Sequence, residues 1–220
     1  MASTRDGIDA MLRDRGLRRT APELTGRSLL LGAHASAVLE GSESTFDEVE
    51  AGEYDDTATA AVRVSTELLS FVPTIATSPL QVLARLHTLA AKGAVADDEL
   101  GRPRSGSARL TDLSHLLLED TEAPALVVAA IAHAELVTLA PFASHNGIVA
   151  RAFERLLLVA RGVDPTSLVV PEAGHLALRK EYASNLRGYR DGGQPGVHSW
   201  LLYSAEAFTR GANASPLHKT

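Results

Sequence analysis

The sequence predicts an all-α fold: one compact helical domain spanning residues 1–220. Three observations carry that reading. Hydrophobic residues make up 45% of the chain but aromatic residues only 5%, and Ala, Leu and Val dominate the apolar set. A β-sandwich would want more aromatic and β-branched side chains. Apolar side chains recur at three- and four-residue steps along most of the chain. Proline and glycine fall at the ends of those runs, where they start and stop helices. A chain of this length can bury a sizeable core in a single domain.

Taken in order, Arg13, Arg15, Arg18 and Arg19 form a short basic patch that reads as a solvated helix face. Leu31, Ala35, Val38 and Leu39 keep helical spacing, so a helix is expected over 23–40, with Gly41 as its stop. Ala60, Val64, Leu68 and Phe71 place another over 56–71. Pro79 opens a third, through 91. Residues 93–107 hold Gly93, Gly101, Gly106, Pro103 and several charges, and read as an exposed loop or short hairpin. A short helix follows over 110–118. Thr121 stands where it could cap the next helix, and Pro124 fits its first turn. Residues 126–132 are apolar on every side, the mark of a central, buried helix. That helix must end before Pro141. A further helix over 146–161 is closed by Arg161, Gly162 and Pro165. Two more are expected over 172–189 and 195–210, separated by Asp191-Gly192-Gly193.

Composition excludes several classes of function. A net charge of −6 weighs against nucleic acid as a partner, because phosphate contacts need a basic footprint. With no cysteine, disulfides, thiol catalysis and thiolate–metal sites are ruled out. The opening MASTRDGIDAML lacks the apolar stretch of a signal peptide, and no apolar run approaches the roughly 20 residues of a membrane span. A cytoplasmic protein with no membrane partner is expected. Asn213-Ala214-Ser215 fits a glycosylation triplet but reads as chance in that setting.

The stretch Leu139–Arg151, LAPFASHNGIVAR, joins the buried helix to the next through a tight turn. Unpaired N–H groups at a helix start carry partial positive charge and suit an anion. Gly147 lets a phosphate approach the backbone, and Arg151 lies close enough to add a charge-assisted contact.

The longer stretch AAIAHAELVTLAPFASHNGIVARAFERLLLVARG resembles the central motif of Fic-domain proteins, HPFxxGNGRxxR. Pro141, Phe142, Asn146, Gly147 and Arg151 match in register, and His133 on the preceding helix is similar too. The resemblance covers about 79–165, with a second piece near the N-terminus, and the C-terminal helices over 166–220 complete the expected domain. It implies a compact helical domain with a nucleotide such as ATP as ligand. Most such proteins transfer AMP from ATP to a hydroxyl of a target protein. The 93–107 loop occupies the place of the family's flap, where a protein partner would add as a strand.

The departures from the motif fall on its chemistry. Ala140 stands where the family has its catalytic histidine, and a methyl group cannot take a proton. Ser144 replaces the acidic residue that holds magnesium, so no magnesium is expected. His145 replaces the first glycine of the anion loop, and Ile148 replaces the first arginine. The resemblance therefore implies Asn146, Gly147, Arg151 and His145 as a nucleotide or phosphate site without a catalytic residue. His145 is the only nearby substitute base, and its place at the helix start would put it in the anion cradle rather than over a target.

Ser36-Ala37-Val38-Leu39-Glu40-Gly41 matches the inhibitory motif of many Fic proteins, [S/T]xxxE[G/N]. The resemblance implies that Glu40 pairs with Arg151 and blocks productive ATP placement. Ser36 and Glu40 lie one turn apart and share a helix face. Glu40 in the last helical turn opposes the macrodipole, which a cationic partner would offset. The local alternative pairs Arg151 with Glu154 and leaves Glu40 solvated.

Other constellations fail. His133-Ala134-Glu135 has the spacing of a zinc deaminase motif but lacks the cysteines, so His133 reads as a hydrogen-bonded core histidine. There is no HExxH, GxGxxG or Walker lysine. His175, Tyr182 and Tyr189 carry no functional argument beyond a place near the site for His175, if the last helices cover it. The expected function is a degenerate Fic-type protein, non-catalytic or weakly active. The alternatives are an active transferase with altered chemistry and a scaffold with no small ligand, signalled by an apolar site lined by Ile148.

Overall fold

The computed structural model describes residues 17–219, and those residues are helical, with a single Lys92–Val95 bridge as their one β-type pairing. The helices are α1 (Leu17–Leu39), α2 (Phe46–Ala51), α3 (Asp56–Glu67), α4 (Val72–Ile75) and α5 (Pro79–Ala91). They continue with α6 (Ser107–Leu118), α7 (Ala125–Leu139), α8 (Asn146–Ala160), α9 (Pro171–Ala177), α10 (Arg179–Asp191) and α11 (Gly193–Asn213). Arg13 and Arg15 of the basic patch lie outside the described residues, as do the side chains of Arg18 and Arg19.

Helix α8 is the axle. Every residue from Ile148 to Val159 is buried, polar ones included. Helix α7 packs along it, α1, α3 and α5 close the other sides, and α9–α11 form a cap. The main core joins Phe153, Leu156 and Leu158 of α8 to Val64, Leu86 and Leu136 of α3, α5 and α7. A second, aromatic core holds Tyr182, Trp200 and Tyr203 against Ala134. Trp200 is fully buried and donates its indole N–H to the Ala130 carbonyl at 2.8 Å, which fastens α11 to α7.

The structure revises four expectations. The helix expected over 56–71 ends at Glu67 and tightens through a 3₁₀ turn into α4. Pro73 has no N–H to bond back to residue 69, so the regular ladder cannot continue. The helix expected over 172–189 bends at Leu178 (φ −113°, ψ 36°) into α9 and α10. Thr121 does not cap α7: its hydroxyl accepts the Ala123 N–H, and the helix begins after Pro124. The 93–107 segment forms no flap hairpin. It turns through Gly93, Gly101 and Gly106, all with left-handed φ, and Arg104 donates its N–H to the Pro141 carbonyl at 2.8 Å. Among the described residues, no helix is long and apolar enough to cross a membrane.

Candidate functional site

The turn between α7 and α8 is held in a strained shape. Ala140 (φ 44°, ψ 59°) and His145 (φ 57°, ψ 19°) are left-handed, which costs a non-glycine residue about 1–2 kcal/mol each. The neighbours over-determine it. The Asn146 side chain accepts the Phe142 N–H at 2.9 Å and donates to the Phe142 carbonyl at 3.0 Å, which uses both ends of its amide. Asn146 thus shapes the cradle by bracing the Phe142 backbone. Phe142 is stacked on His87, centroids 4.3 Å apart. The methyl of Ala140 is exposed, and Ile148 is buried in the core, so no apolar Ile148-lined opening exists.

Arg151 is 1% exposed and lies behind the cradle. Its Nε donates to the Ser36 Oγ at 2.9 Å, and its Nη2 to the Ser36 carbonyl at 3.1 Å and to Glu40 Oε1 at 2.7 Å. Its Nη1 has only a long 3.4 Å contact to the Tyr182 hydroxyl. Glu40, with its side chain 33% exposed, lies at the C-terminal end of α1, where Gly41 (φ 100°) lets the chain leave in a left-handed conformation. The carboxylate reaches across to the start of α8. A Cβ built on Gly147 would overlap Glu40 Oε1 and lie 3.1 Å from Arg151 Nη1. The glycine, the glutamate and the guanidinium therefore meet at one point, the helix N-terminus where an anion is favoured. The local alternative, Arg151 with Glu154, does not form.

His145 is half-buried at the mouth of the cradle, with Nδ1 against the Ser144 hydroxyl at 2.7 Å. Burial lowers its pKa, with Arg63 adding to the effect and Glu40 opposing it. Ser144 brings no carboxylate, so the residues present do not fit a magnesium ion.

The sequence reading missed what lies on either side of Arg151. Ser28, Gly32, Ser36 and Glu40 recur every four residues on one face of α1. They face two buried arginines one turn apart on α8, Arg151 and Arg155. Arg155 donates to Ser28 Oγ (2.7 Å), Ser167 Oγ (2.8 Å), the Ser167 and Ser28 carbonyls (2.9 and 3.2 Å) and Glu172 (3.1 Å). Small residues at a four-residue period were the legible signal for this seam.

On the other side, Glu154 Oε2 receives His133 Nδ1 at 2.6 Å and His175 Nε2 at 2.9 Å. The far nitrogens meet hydroxyls: His133 Nε2 with Tyr182 at 2.8 Å, His175 Nδ1 with Tyr203 at 2.9 Å. All five side chains are buried. Burial pushes His133 down to about 4 and Tyr182 up. Burial alone would raise the Glu154 carboxyl, but the two imidazoles outweigh it and hold it well below the usual carboxylate range.

His133, Glu154 and His175 are also the one group among the described residues with ligand atoms close enough to share a metal ion, all within 4.8 Å. Hydrogen accounting favours protons. Metal on Nδ1 of His133 would put a proton on Nε2 and make the Tyr182 oxygen accept it. That oxygen already accepts from Arg151, and its own hydrogen would then have no acceptor among the described residues. With a proton on Nδ1, each contact from Arg151 Nη1 through Tyr182 and His133 to Glu154 pairs a donor with an acceptor.

No protein-family profile matches this sequence, and no curated protein is detectably similar to it. Solved structures are similar in shape. A Fic family protein from Desulfovibrio desulfuricans G20 superposes with a TM-score of 0.76 at 20% identity, over 97% of this chain and 72% of that one. Fic-1 of C. elegans gives 0.69 at 19% identity, over 97% and 70%, and a variant of it gives 0.68. At such low identity the likeness is one of fold: this chain folds as those Fic family proteins do.

Proposed function

We propose that this chain is an anion-binding protein on a Fic fold, that its cradle takes a phosphate of a nucleotide, and that it carries out no conventional AMP transfer. One observation carries the reading: the Glu40 carboxylate occupies the point where Gly147 and Arg151 meet. The chain's own anion stands where a ligand's anion would stand. The remaining chemistry supports binding without transfer. Ala140 offers no base, Ser144 no carboxylate for a metal, and Ile148 no second cation.

Isothermal titration of ATP and ADP, with and without Mg²⁺, into the native protein and Glu40→Gly tests this. The variant is expected to bind about tenfold more tightly or better, a change of ~1.4 kcal/mol, with little response to Mg²⁺. Silence in both proteins, with the fold intact by circular dichroism, would sink the nucleotide reading.

A second reading has one observation behind it. Burial keeps the His145 imidazole in its basic form, as a substitute general base requires. ATP consumption on incubation with cell extract, abolished in His145→Ala, would favour transfer with altered chemistry over binding alone.

A further inference from the structure

We infer that Tyr182 is a positioning residue of the anion site, holding the Nη1 of Arg151 toward the cradle while Glu154, through His133, fixes which way the Tyr182 hydroxyl points. The inference rests on the reading of the cradle as an anion site and adds a residue 31 positions from Arg151 that no motif contains.

The guanidinium has two kinds of partner. Ser36 grips it through Nε and Nη2, and Glu40 takes the rest of Nη2. Nη1 is the nitrogen 3.1 Å from the space above Gly147, and its one contact is the Tyr182 oxygen. When Glu40 leaves for an incoming anion, Tyr182 is, among the described residues, the one side chain that still holds the guanidinium on that side.

For that task the Tyr182 oxygen must present lone pairs to Arg151, so its hydrogen must point elsewhere. The network sets this one residue at a time. The Glu154 carboxylate accepts only, so it takes the Nδ1 proton of His133. That leaves Nε2 of His133 as an acceptor, which takes the Tyr182 hydrogen. The Tyr182 oxygen is then free to accept from Arg151 alone. A protonated His133 would break the chain at its middle link, and its burial opposes protonation.

The same cluster supplies a control. Tyr203 stands on His175 as Tyr182 stands on His133, at 2.9 and 2.8 Å, but of the two hydroxyls only that of Tyr182 is hydrogen-bonded to Arg151 among the described residues. Each Tyr→Phe change removes one buried hydroxyl from one histidine. Only one of them touches the cation.

The test uses Glu40→Gly as parent and inorganic phosphate as probe, with affinity from calorimetry. Tyr182→Phe is expected to weaken phosphate binding about fivefold, as loss of one long contact to a charged group predicts. Tyr203→Phe is expected to stay within twofold while losing similar thermal stability. Equal affinities in the parent and Tyr182→Phe, or equal losses in both phenylalanine variants, would overturn the inference. Two spectroscopic readouts need no ligand. Imidazole ¹⁵N shifts of the native protein should show His133 protonated on Nδ1 and bare on Nε2, and the opposite tautomer would refute the relay. The Arg151 Nη1 and Nη2 resonances should be distinct in ligand-free Glu40→Gly and in Glu40→Gly/Tyr203→Phe, and averaged by rotation in Glu40→Gly/Tyr182→Phe. If the parent binds no phosphate, the anion-site reading falls, and these spectra still decide whether Tyr182 holds Arg151.

Discussion

At the scale of single residues, the site depends on one missing side chain. Gly147 has no Cβ, and the space it leaves is filled by a carboxylate from a helix more than a hundred positions away. Gly147→Ala separates the plug from the pocket. The methyl would displace Glu40 Oε1, but that oxygen ends a flexible, partly exposed side chain, so the shift is cheap. Alanine is also the better helix former. The expected result is a melting temperature equal to or above the native value. In the Glu40→Gly background the same methyl fills the cradle, and phosphate binding should be lost. Retained binding in the double variant would show that the anion goes elsewhere.

At the scale of elements, α1 and α8 meet along a polar seam rather than an apolar one. Two arginines four residues apart lie in a groove of small residues with the same spacing, which leaves room for the guanidinium groups and offers them serine oxygens. Gly32 is the most crowded glycine on α1. A Cβ there would overlap Arg155 Nη1 and lie 2.8 Å from Glu172 Oε2. Both of those groups are buried and paired with each other, and Arg155 is held further by Ser28 and Ser167, whereas Glu40 at Gly147 is partly exposed. Gly32→Ala is therefore expected to destabilise the fold by about 1–3 kcal/mol, the usual range for overpacking, despite the better helix former. Urea denaturation of the two glycine variants side by side checks the contrast. Equal stabilities would mean that α1 slides freely along α8.

At the scale of the whole molecule, stability should fall in mild acid. His133 has an ordinary pKa near 6.5 when unfolded and about 4 when folded. As pH falls below 6.5 the unfolded chain binds a proton that the native state refuses, so stability drops until pH reaches the folded value. The loss from this residue alone is about 3 kcal/mol across that window, at roughly 1.4 kcal/mol per pH unit. His87, lowered to about 4 chiefly by burial, acts in the same direction. Glu154 adds to the loss at lower pH: its depressed pKa gives stability that is present above the unfolded carboxylate value and disappears as pH falls toward the folded one. Denaturant midpoints from pH 7.5 to 4.5 measure the slope. A flat profile would mean that His133 is charged in the native state.

The sequence alone determined the helices and the turn. Pro79, Pro141 and Gly162 mark ends that the structure keeps, because the geometry of proline and glycine acts within a few residues of itself. The matches at Pro141, Phe142, Asn146, Gly147 and Arg151 pointed to a fold that the solved structures share. Where local signals gave out, they did so for a local reason: Thr121 could cap a helix that starts three residues too late for it, and 93–107 had turn residues but no paired apolar runs. Only the tertiary structure decided what the charges do. Nothing near Glu154 in sequence says that it belongs to His133 and His175 rather than to Arg151, and nothing near Tyr182 says that it reaches Arg151. Hydrogen-bond partners of buried groups come from whichever helices pack around them, and desolvation makes those distant pairings obligatory.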